Sequence, residues 1–171
     1  DILLTEGLRV SDTMVVTPGG YTSVQLWYKR MSPRWRFCWY KGATATRSAV
    51  GFSHWEEILI YGDKVYGDIP DYIFVSPSRD FVKYDHPCPK PLSLLLYFIK
   101  AYTKPGDIIF DPYAGSGTTL VAGKMLDRKV VGAEISPKYC ELISKRLSEV
   151  IVFPEAGLKE VNTLELFEGY V

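Results

Sequence analysis

Two glycines, Gly115 and Gly117, separate an apolar run at 108–110 from a segment at 118–126 with helical character. The run reads as a buried strand, and Asp111 closes it. Glycine lets a backbone turn sharply and come close to a bound molecule. A second apolar run at 129–133 ends in Glu134, about twenty residues beyond the turn. A carboxylate at a strand tip at this distance suits the two hydroxyls of a ribose. The order strand, glycine turn, helix, strand, acid therefore points to a nucleoside-bearing cofactor. Two other nucleotide loops do not fit. A phosphate-binding P-loop needs Lys and then Ser or Thr straight after the glycines, where Thr118 and Thr119 stand. The G-x-G-x-x-G dinucleotide fingerprint lacks its third glycine, because that position is Leu120.

The elements that must hold this turn follow from period and punctuation. Residues 2–10 carry Ile2, Leu3, Leu4 and Leu8 at helical spacing. Residues 13–17 read as a strand stopped by Pro18, Gly19 and Gly20. A helix is expected at 21–29, ended by Ser32 and Pro33. Residues 36–41 and 57–61 read as two adjacent antiparallel strands, with a polar, mobile loop at 42–53 between them. The stretch 62–85 is irregular apart from a strand-like 72–75. Pro87, Pro89 and Pro91 fix φ along 86–91, and a helix follows at 92–102. Ser136 is placed to cap, and Pro137 to begin, a helix running to about 147. Residues 149–153 read as an edge strand or a fraying end, and 154–171 are acidic without a clear period. Strands alternating with helices in the second half predict an α/β fold with a doubly wound, mainly parallel sheet, which binds ligands at the carboxyl ends of its strands.

Length and composition bound the rest. The 171 residues fit a single domain. Hydrophobic residues at 47% and charged residues at 23% are the mix of a soluble globular domain. Twenty Lys+Arg balance twenty Asp+Glu, which argues against a protein that coats nucleic acid by charge alone while leaving room for a local basic face. Cys38, Cys88 and Cys140 form no CxxC pair, and His54 and His86 are not spaced as ligands, so no metal is expected and the thiols read as reduced, as in a cytoplasmic protein. The apolar stretch 92–101 is interrupted by Ser93, Tyr97 and Lys100 and falls short of the roughly 18 residues of a membrane span. The first residues lack the pattern of a signal peptide. The chain starts without Met, inside what reads as a helix, and an upstream part is expected.

The context of the turn carries a family resemblance. His86-Pro87-Cys88-Pro89-Lys90-Pro91, a helix, Pro105-Gly106-Asp107, the turn from Asp111 to Thr119, Gly132-Ala133-Glu134-Ile135, Tyr139 and Arg146-Leu147 follow one another. This succession resembles the C-terminal half of amino-group DNA methyltransferases of the permuted (beta) class. These bacterial and phage enzymes methylate adenine N6 or cytosine N4, and their cofactor motifs follow the catalytic motif. The likeness is specific over 85–147 and looser at 39–41 and 55–62.

The resemblance implies a Rossmann-like methyltransferase fold, part of its sheet lying outside this chain, with S-adenosylmethionine as cofactor. It implies one domain over 1–171, with the cofactor part at 86–148 and a short target-recognition insert at 62–85. Asp111, Pro112, Tyr113, Ala114, Gly115, Ser116, Gly117 and Thr118 would line the methionine and ribose side. Glu134 would take the ribose hydroxyls, and Pro87 and Lys90 would lie near the methionine end. Main-chain N–H groups at the turn would meet the cofactor carboxylate, beside a helix N-terminus that favours its charge. His86 is expected to pack rather than catalyse, because methyl transfer to an amine needs no histidine base.

The family's catalytic motif, Asp/Asn/Ser-Pro-Pro-aromatic, does not occur in this chain; Asp111-Pro112-Tyr113 lacks the second proline and lies in the cofactor turn. No catalytic residue is therefore assigned, and the chain alone is expected to transfer no methyl group. A missing N-terminal segment or a partner chain would supply the motif, and a homodimer is left open. Cations mixed with aromatics at 27–47 suggest a face for double-stranded DNA, with Arg34, Arg36, Lys41 and Arg47 as phosphate contacts. The leading reading is thus a DNA amino methyltransferase of a restriction-modification type. Two alternatives stand beside it: a non-catalytic subunit that binds cofactor or DNA and completes a partner, and an enzyme of another nucleotide, such as an oxidoreductase.

Overall fold

The computed structural model describes residues 2–42, 46–48, 51–64, 69–77 and 86–153. It divides into two units, 1–76 and 77–171, each with its own architecture.

The first unit is organised by one long strand. Helix α1 (Ile2–Val10), strand β1 (Thr13–Val16), helix α2 (Tyr21–Arg30) and strand β2 (Trp35–Tyr40) precede two short strands, β3 (Thr46–Ser48) and β4 (Gly51–Ser53), then β5 (Trp55–Gly62) and β6 (Tyr72–Phe74). The four-stranded sheet has the order β1-β5-β2-β6. β5 pairs antiparallel with β1 and β2, with Val15 opposite Ile60 and Phe37 opposite Ile58, and β6 lies parallel to β2. Ile58, Leu59, Ile60 and Tyr61 are all buried, so β5 is covered on both faces, which explains its continuous apolar run. Leu59 and Tyr61 join Val16 and Leu4 in a cluster completed by Leu8, Met14 and Trp27, which seats α1 and α2 on the sheet. The loop expected at 42–53 is corrected in part, because β3 and β4 pair antiparallel with Arg47 opposite Phe52. Three residues per strand are too few to show a period of two in the sequence.

The second unit holds the glycine turn. Helix α3 (Leu92–Tyr102), strand β7 (Ile108–Asp111), helix α4 (Thr118–Met125), strand β8 (Lys129–Gly132) and helix α5 (Pro137–Ser148) follow in order. β7 and β8 pair in parallel, Asp111 opposite Gly132, with α4 as the crossover. Leu96 and Ile99 of α3 meet Val121, Ala122, Met125 and Leu126, and Ile109, Leu147, Val150 and Phe153 pack on that cluster. Buried Leu96, Ile99, Val121, Met125 and Leu126 contribute about 1.5–3 kcal/mol apiece by leaving water. Arg128 is buried and donates to Thr103 O, Thr103 Oγ1 and Leu126 O, tying the end of α3 to the end of α4.

Two sequence expectations change here. β7 is not a buried strand: Ile108 is 67% and Phe110 52% exposed, and Val131 opposite Phe110 is also exposed. Alternation sends Ile109 and Val130 toward α4 and these three side chains to the other face, which is uncovered among the described residues. Residues 149–153 form no strand; the Phe153 N–H donates to Met125 O at 2.8 Å and the ring packs on the α3–α4 core. Among the described residues, parallel pairing is confined to β2–β6 and β7–β8, so the α/β architecture there is mixed. Residues 65–68 and 78–85 of the expected recognition insert lie outside the described residues.

Candidate functional site

The turn after β7 is built by its own hydrogen bonds. Asp111 Oδ1 accepts from the Tyr113 N–H at 3.0 Å, bending the chain two residues on. The Ala114 N–H donates to Ala133 O and the Ala133 N–H to Asp111 O, which carries the β7–β8 ladder past the strand ends. The Gly117 N–H donates to Ala114 O at 2.7 Å and closes the turn, and Val121 N–H to Gly117 O begins α4. Gly115 has φ +54 and Gly117 φ +82, both in the left-handed region that side chains other than glycine's disfavour. Space adds a second demand. A Cβ on Gly115 would lie 2.9 Å from His86 Nε2, and one on Gly117 2.7 Å from Ile143 Cγ1.

Glu134 is the hub of the arrangement. Its Oε2 accepts from the Gly115 N–H and its Oε1 from the Ser136 N–H, each at 2.8 Å. The Ser136 N–H holds the Glu134 carboxyl below the usual carboxylate range; desolvation opposes it, and the N–H groups of Gly115 and Ile135 and the His86 ring add to the lowering. An ionised carboxylate offers about four lone-pair directions. Two are used, which leaves acceptors for a pair of hydroxyls beside Gly115. Asp111, Tyr113, Gly115 and Glu134 thus meet at the carboxyl ends of two parallel strands, with Tyr113 73% exposed at the rim.

The remaining residues expected to line this site divide by burial. Pro112 and Ala114 belong to the turn, Pro112 half-buried and Ala114 buried. Ser116, Gly117 and Thr118 are buried on the side facing α5. Arg146 Nη1 donates to Ser116 O at 2.5 Å and to Thr118 Oγ1 at 3.4 Å, and Ile143 fills the space under Gly117. The N–H groups of Tyr113, Ala114, Gly115 and Gly117 are bonded inside the protein, so they are not the donors expected for a cofactor carboxylate. The Ser116 N–H and the first-turn amides of α4, which have no intrahelical acceptors, are the remaining main-chain donors. His86 packs: its ring lies 5.0 Å from that of Tyr139 and its Nδ1 accepts from the Cys88 N–H at 3.2 Å. Pro87 is exposed beside it, and Lys90 is half-buried just ahead of α3.

Of Tyr139, Ile143 and Arg146, which pack behind the turn, the sequence marks Tyr139 and Arg146 and not Ile143. The available signal was their spacing, which puts all three on one face of α5.

The basic residues of the first unit prove unequal. Arg34 and Arg36 are exposed, with Asp63 Oδ1 3.1 Å from Arg34 Nε and Glu57 Oε1 3.6 Å from Arg36 Nη1. Glu57 also accepts from Tyr28 OH at 2.7 Å. Lys41 is only 5% exposed; its ammonium pairs with Glu56 and sits over the Trp39 ring. Its side chain is therefore interior and not on the surface. Arg47 lies on β3, and its side chain falls outside the description. Trp39 is buried with Nε1 donating to Val75 O, whereas Trp35, Tyr40 and Trp55 are exposed.

Comparison with known proteins places the chain in a family. A family model described as DNA methylase, that of the N6/N4 methyltransferases, matches residues 25–145. The orphan methyltransferase M.BamHII of Bacillus amyloliquefaciens is 38% identical over 75 residues, covering 44% of this chain and 28% of that protein. The type II methyltransferase M2.MboI of Moraxella bovis is 45% identical over 65 residues, covering 38% of this chain and 24% of that protein. The matched stretch thus spans about a quarter of the length of these curated relatives. Among solved structures, the M1.HpyAVI–SAM complex superposes with a TM-score of 0.63 at 28% identity, covering 79% of this chain and 74% of that one. The cytosine-N4-specific PvuII DNA methyltransferase shares the fold with a TM-score of 0.66 at 18% identity, covering 92% of this chain and 68% of that one. With the family model matched over most of its length, the chain belongs to the N6/N4 DNA methylase family.

Proposed function

We propose that this chain is the cofactor-binding part of a DNA amino methyltransferase, which transfers a methyl group from S-adenosylmethionine to adenine N6 or cytosine N4. The observation that carries the reading is Glu134. Its carboxylate is fixed between Gly115 and Ser136 with acceptors to spare, where a ribose would need them. The site suits such a nucleoside: Tyr113 offers an exposed ring at the rim, beside the acceptors of Glu134. Glu134 would accept from the ribose hydroxyls, and Asp111, Pro112, Tyr113, Ala114 and Gly115 would form the wall. Ser116, Gly117 and Thr118 would support that wall from below. Pro87 and Lys90 would border the methionine end. When bound, S-adenosylmethionine supplies an electrophilic methyl group.

The amine-activating motif is proposed to come from outside residues 1–171, from the same protein or a partner, in the order of the permuted class. Double-stranded DNA is the proposed substrate, with Arg34 and Arg36 as surface contacts and Lys41 as an interior support. A bacterial or phage-infected cytoplasm fits that substrate, and no described helix is long and apolar enough to cross a membrane. Calorimetry on the purified chain with S-adenosylmethionine, sinefungin and NAD tests the cofactor. One-to-one binding of the first two and none of NAD is expected; a folded chain that binds neither, or that binds NAD, refutes the reading. A methyl-transfer assay with the same chain is expected to show no turnover.

A further inference from the structure

We infer that Arg146 is a positioning residue for the cofactor turn, acting through Ser116 and Thr118 without touching the ligand. This rests on the proposed S-adenosylmethionine site at the same turn. The guanidinium reaches across from α5 and donates from Nη1 to the Ser116 carbonyl at 2.5 Å and to Thr118 Oγ1 at 3.4 Å. Thr118 Oγ1 is in turn 3.3 Å from Ser116 Oγ, so one cation gathers the two residues that flank Gly117. All three groups are buried or half-buried, where a charge-assisted bond is stronger than in water.

The contact is directional. A carbonyl fixed at Ser116 sets the orientation of the peptide between Ser116 and Gly117. The preceding peptide carries the Ser116 N–H, and before it stands the Gly115 N–H that meets Glu134. One turn earlier on α5, Ile143 presses on Gly117. At the start of the same helix the Ser136 N–H holds the other oxygen of Glu134. Helix α5 is therefore joined to the turn at both ends: through Glu134 at its N-terminus and through Ile143 and Arg146 farther along. Releasing Arg146 removes one of the two bonds on the Ser116–Gly117 peptide, leaving its Gly117 N–H on Ala114 O, and so loosens the turn that aligns Gly115 with Glu134.

A neighbouring contact supplies the control. Lys124 Nζ donates to Leu147 O at 2.8 Å, across the same α4–α5 interface but away from the turn. The test compares Arg146→Met, Arg146→Lys and Lys124→Met in the full chain, by calorimetry with S-adenosylmethionine and by amide hydrogen exchange at Gly115 and Gly117. Arg146→Met is expected to raise Kd on the order of tenfold, the effect of losing a hydrogen bond to a charged group. Arg146→Lys, which keeps one donor, should recover part of that loss. Lys124→Met should leave Kd within twofold whatever it does to thermal stability. Should Arg146→Met fail to fold, Arg146→Lys alone carries the affinity test, and a wild-type Kd then overturns the inference. An equal loss in Lys124→Met also overturns it, since stability alone would then explain the effect. If the wild-type chain binds no S-adenosylmethionine, the cofactor reading fails and exchange decides the clamp by itself. Faster exchange at Gly115 and Gly117 in the Arg146 variants than in Lys124→Met supports it, and equal exchange overturns it.

Discussion

Gly115→Ala separates the two demands that the turn places on one residue. The first is conformational: at φ +54 an alanine enters the left-handed region at a cost of about 1–2 kcal/mol. The second is steric: the new Cβ would lie 2.9 Å from His86 Nε2, closer than carbon and nitrogen can sit. The imidazole cannot swing away freely. Its Nδ1 accepts from the Cys88 N–H, and its ring packs against Tyr139. Moving it forfeits that hydrogen bond, worth about 1 kcal/mol net. Gly115→Ala should therefore destabilise by about 2–3 kcal/mol in total. In a His86→Ala background only the conformational part is left, about 1–2 kcal/mol. Gly106 supplies an internal standard, because it has φ +85 and nothing within 4 Å of a built Cβ. Gly106→Ala should show the conformational cost alone. Urea unfolding of the two single variants, their double and Gly106→Ala, compared at equal slope, measures all terms. Additivity of Gly115→Ala and His86→Ala within about 0.5 kcal/mol would mean that His86 does not limit the turn, and the argument would fail.

Three further outcomes follow from the same contacts. Because the Glu134 carboxyl titrates lower in the folded chain than the ordinary value of 4.5, its contribution is present above that value and is lost as pH falls through the folded one. The stability gap between wild type and Glu134→Gln should therefore shrink from about pH 4.5 downward, and a gap that stays constant in urea titrations from pH 6 to 3 would contradict this. Lys41→Met removes the ammonium that pairs with Glu56 in a nearly buried place and should cost roughly 3–5 kcal/mol, most of it regained by adding Glu56→Leu; equal stability of single and double variants in chemical unfolding would dismiss the pairing. Arg34→Glu with Arg36→Glu should weaken DNA binding and flatten the plot of log K against log salt by about 2, one for each lost phosphate contact, and an unchanged slope in fluorescence titrations would remove this face from the interface.

The strand and helix order was legible because each segment announces its own ends. Pro91 before α3, Gly117 before α4 and Pro137 at the start of α5 are local signals, and the structure honours them. Ser136 occupies its cap position, although its side chain makes no capping bond; the Glu134 carboxylate instead takes its N–H. What sequence could not supply was the direction of each side chain. Lys41 reads as a surface cation among aromatics, yet alternation in β2 and the carboxylate of Glu56 across the ladder draw it inward. Ser116, Gly117 and Thr118 read as one continuous lining with Tyr113. A chain that turns through two left-handed glycines reverses which side its residues face, so the second half of the motif lies against α5. The exposure of Ile108 and Phe110 was also out of reach, because a strand's composition does not reveal which of its faces the rest of the fold covers.

The shape of this turn is set by the chain's own bonds. Tyr113 to Asp111, Ala114 to Ala133, Gly115 to Glu134 and Gly117 to Ala114 fix four of its five backbone N–H groups. At about 1 kcal/mol net each, they place much of the ordering of the loop in folding rather than in binding. Affinity for a nucleoside then depends on residues that never approach it. A change in α5 that moves Ser116 or tilts Ser136 alters where the free lone pairs of Glu134 point, and two hydroxyls held at a fixed spacing tolerate little of that. The carboxylate, the two glycines and the helix behind them accordingly act as one unit. Substitutions within that unit should show coupled effects on affinity, and substitutions such as Lys124→Met, outside it, should add independently.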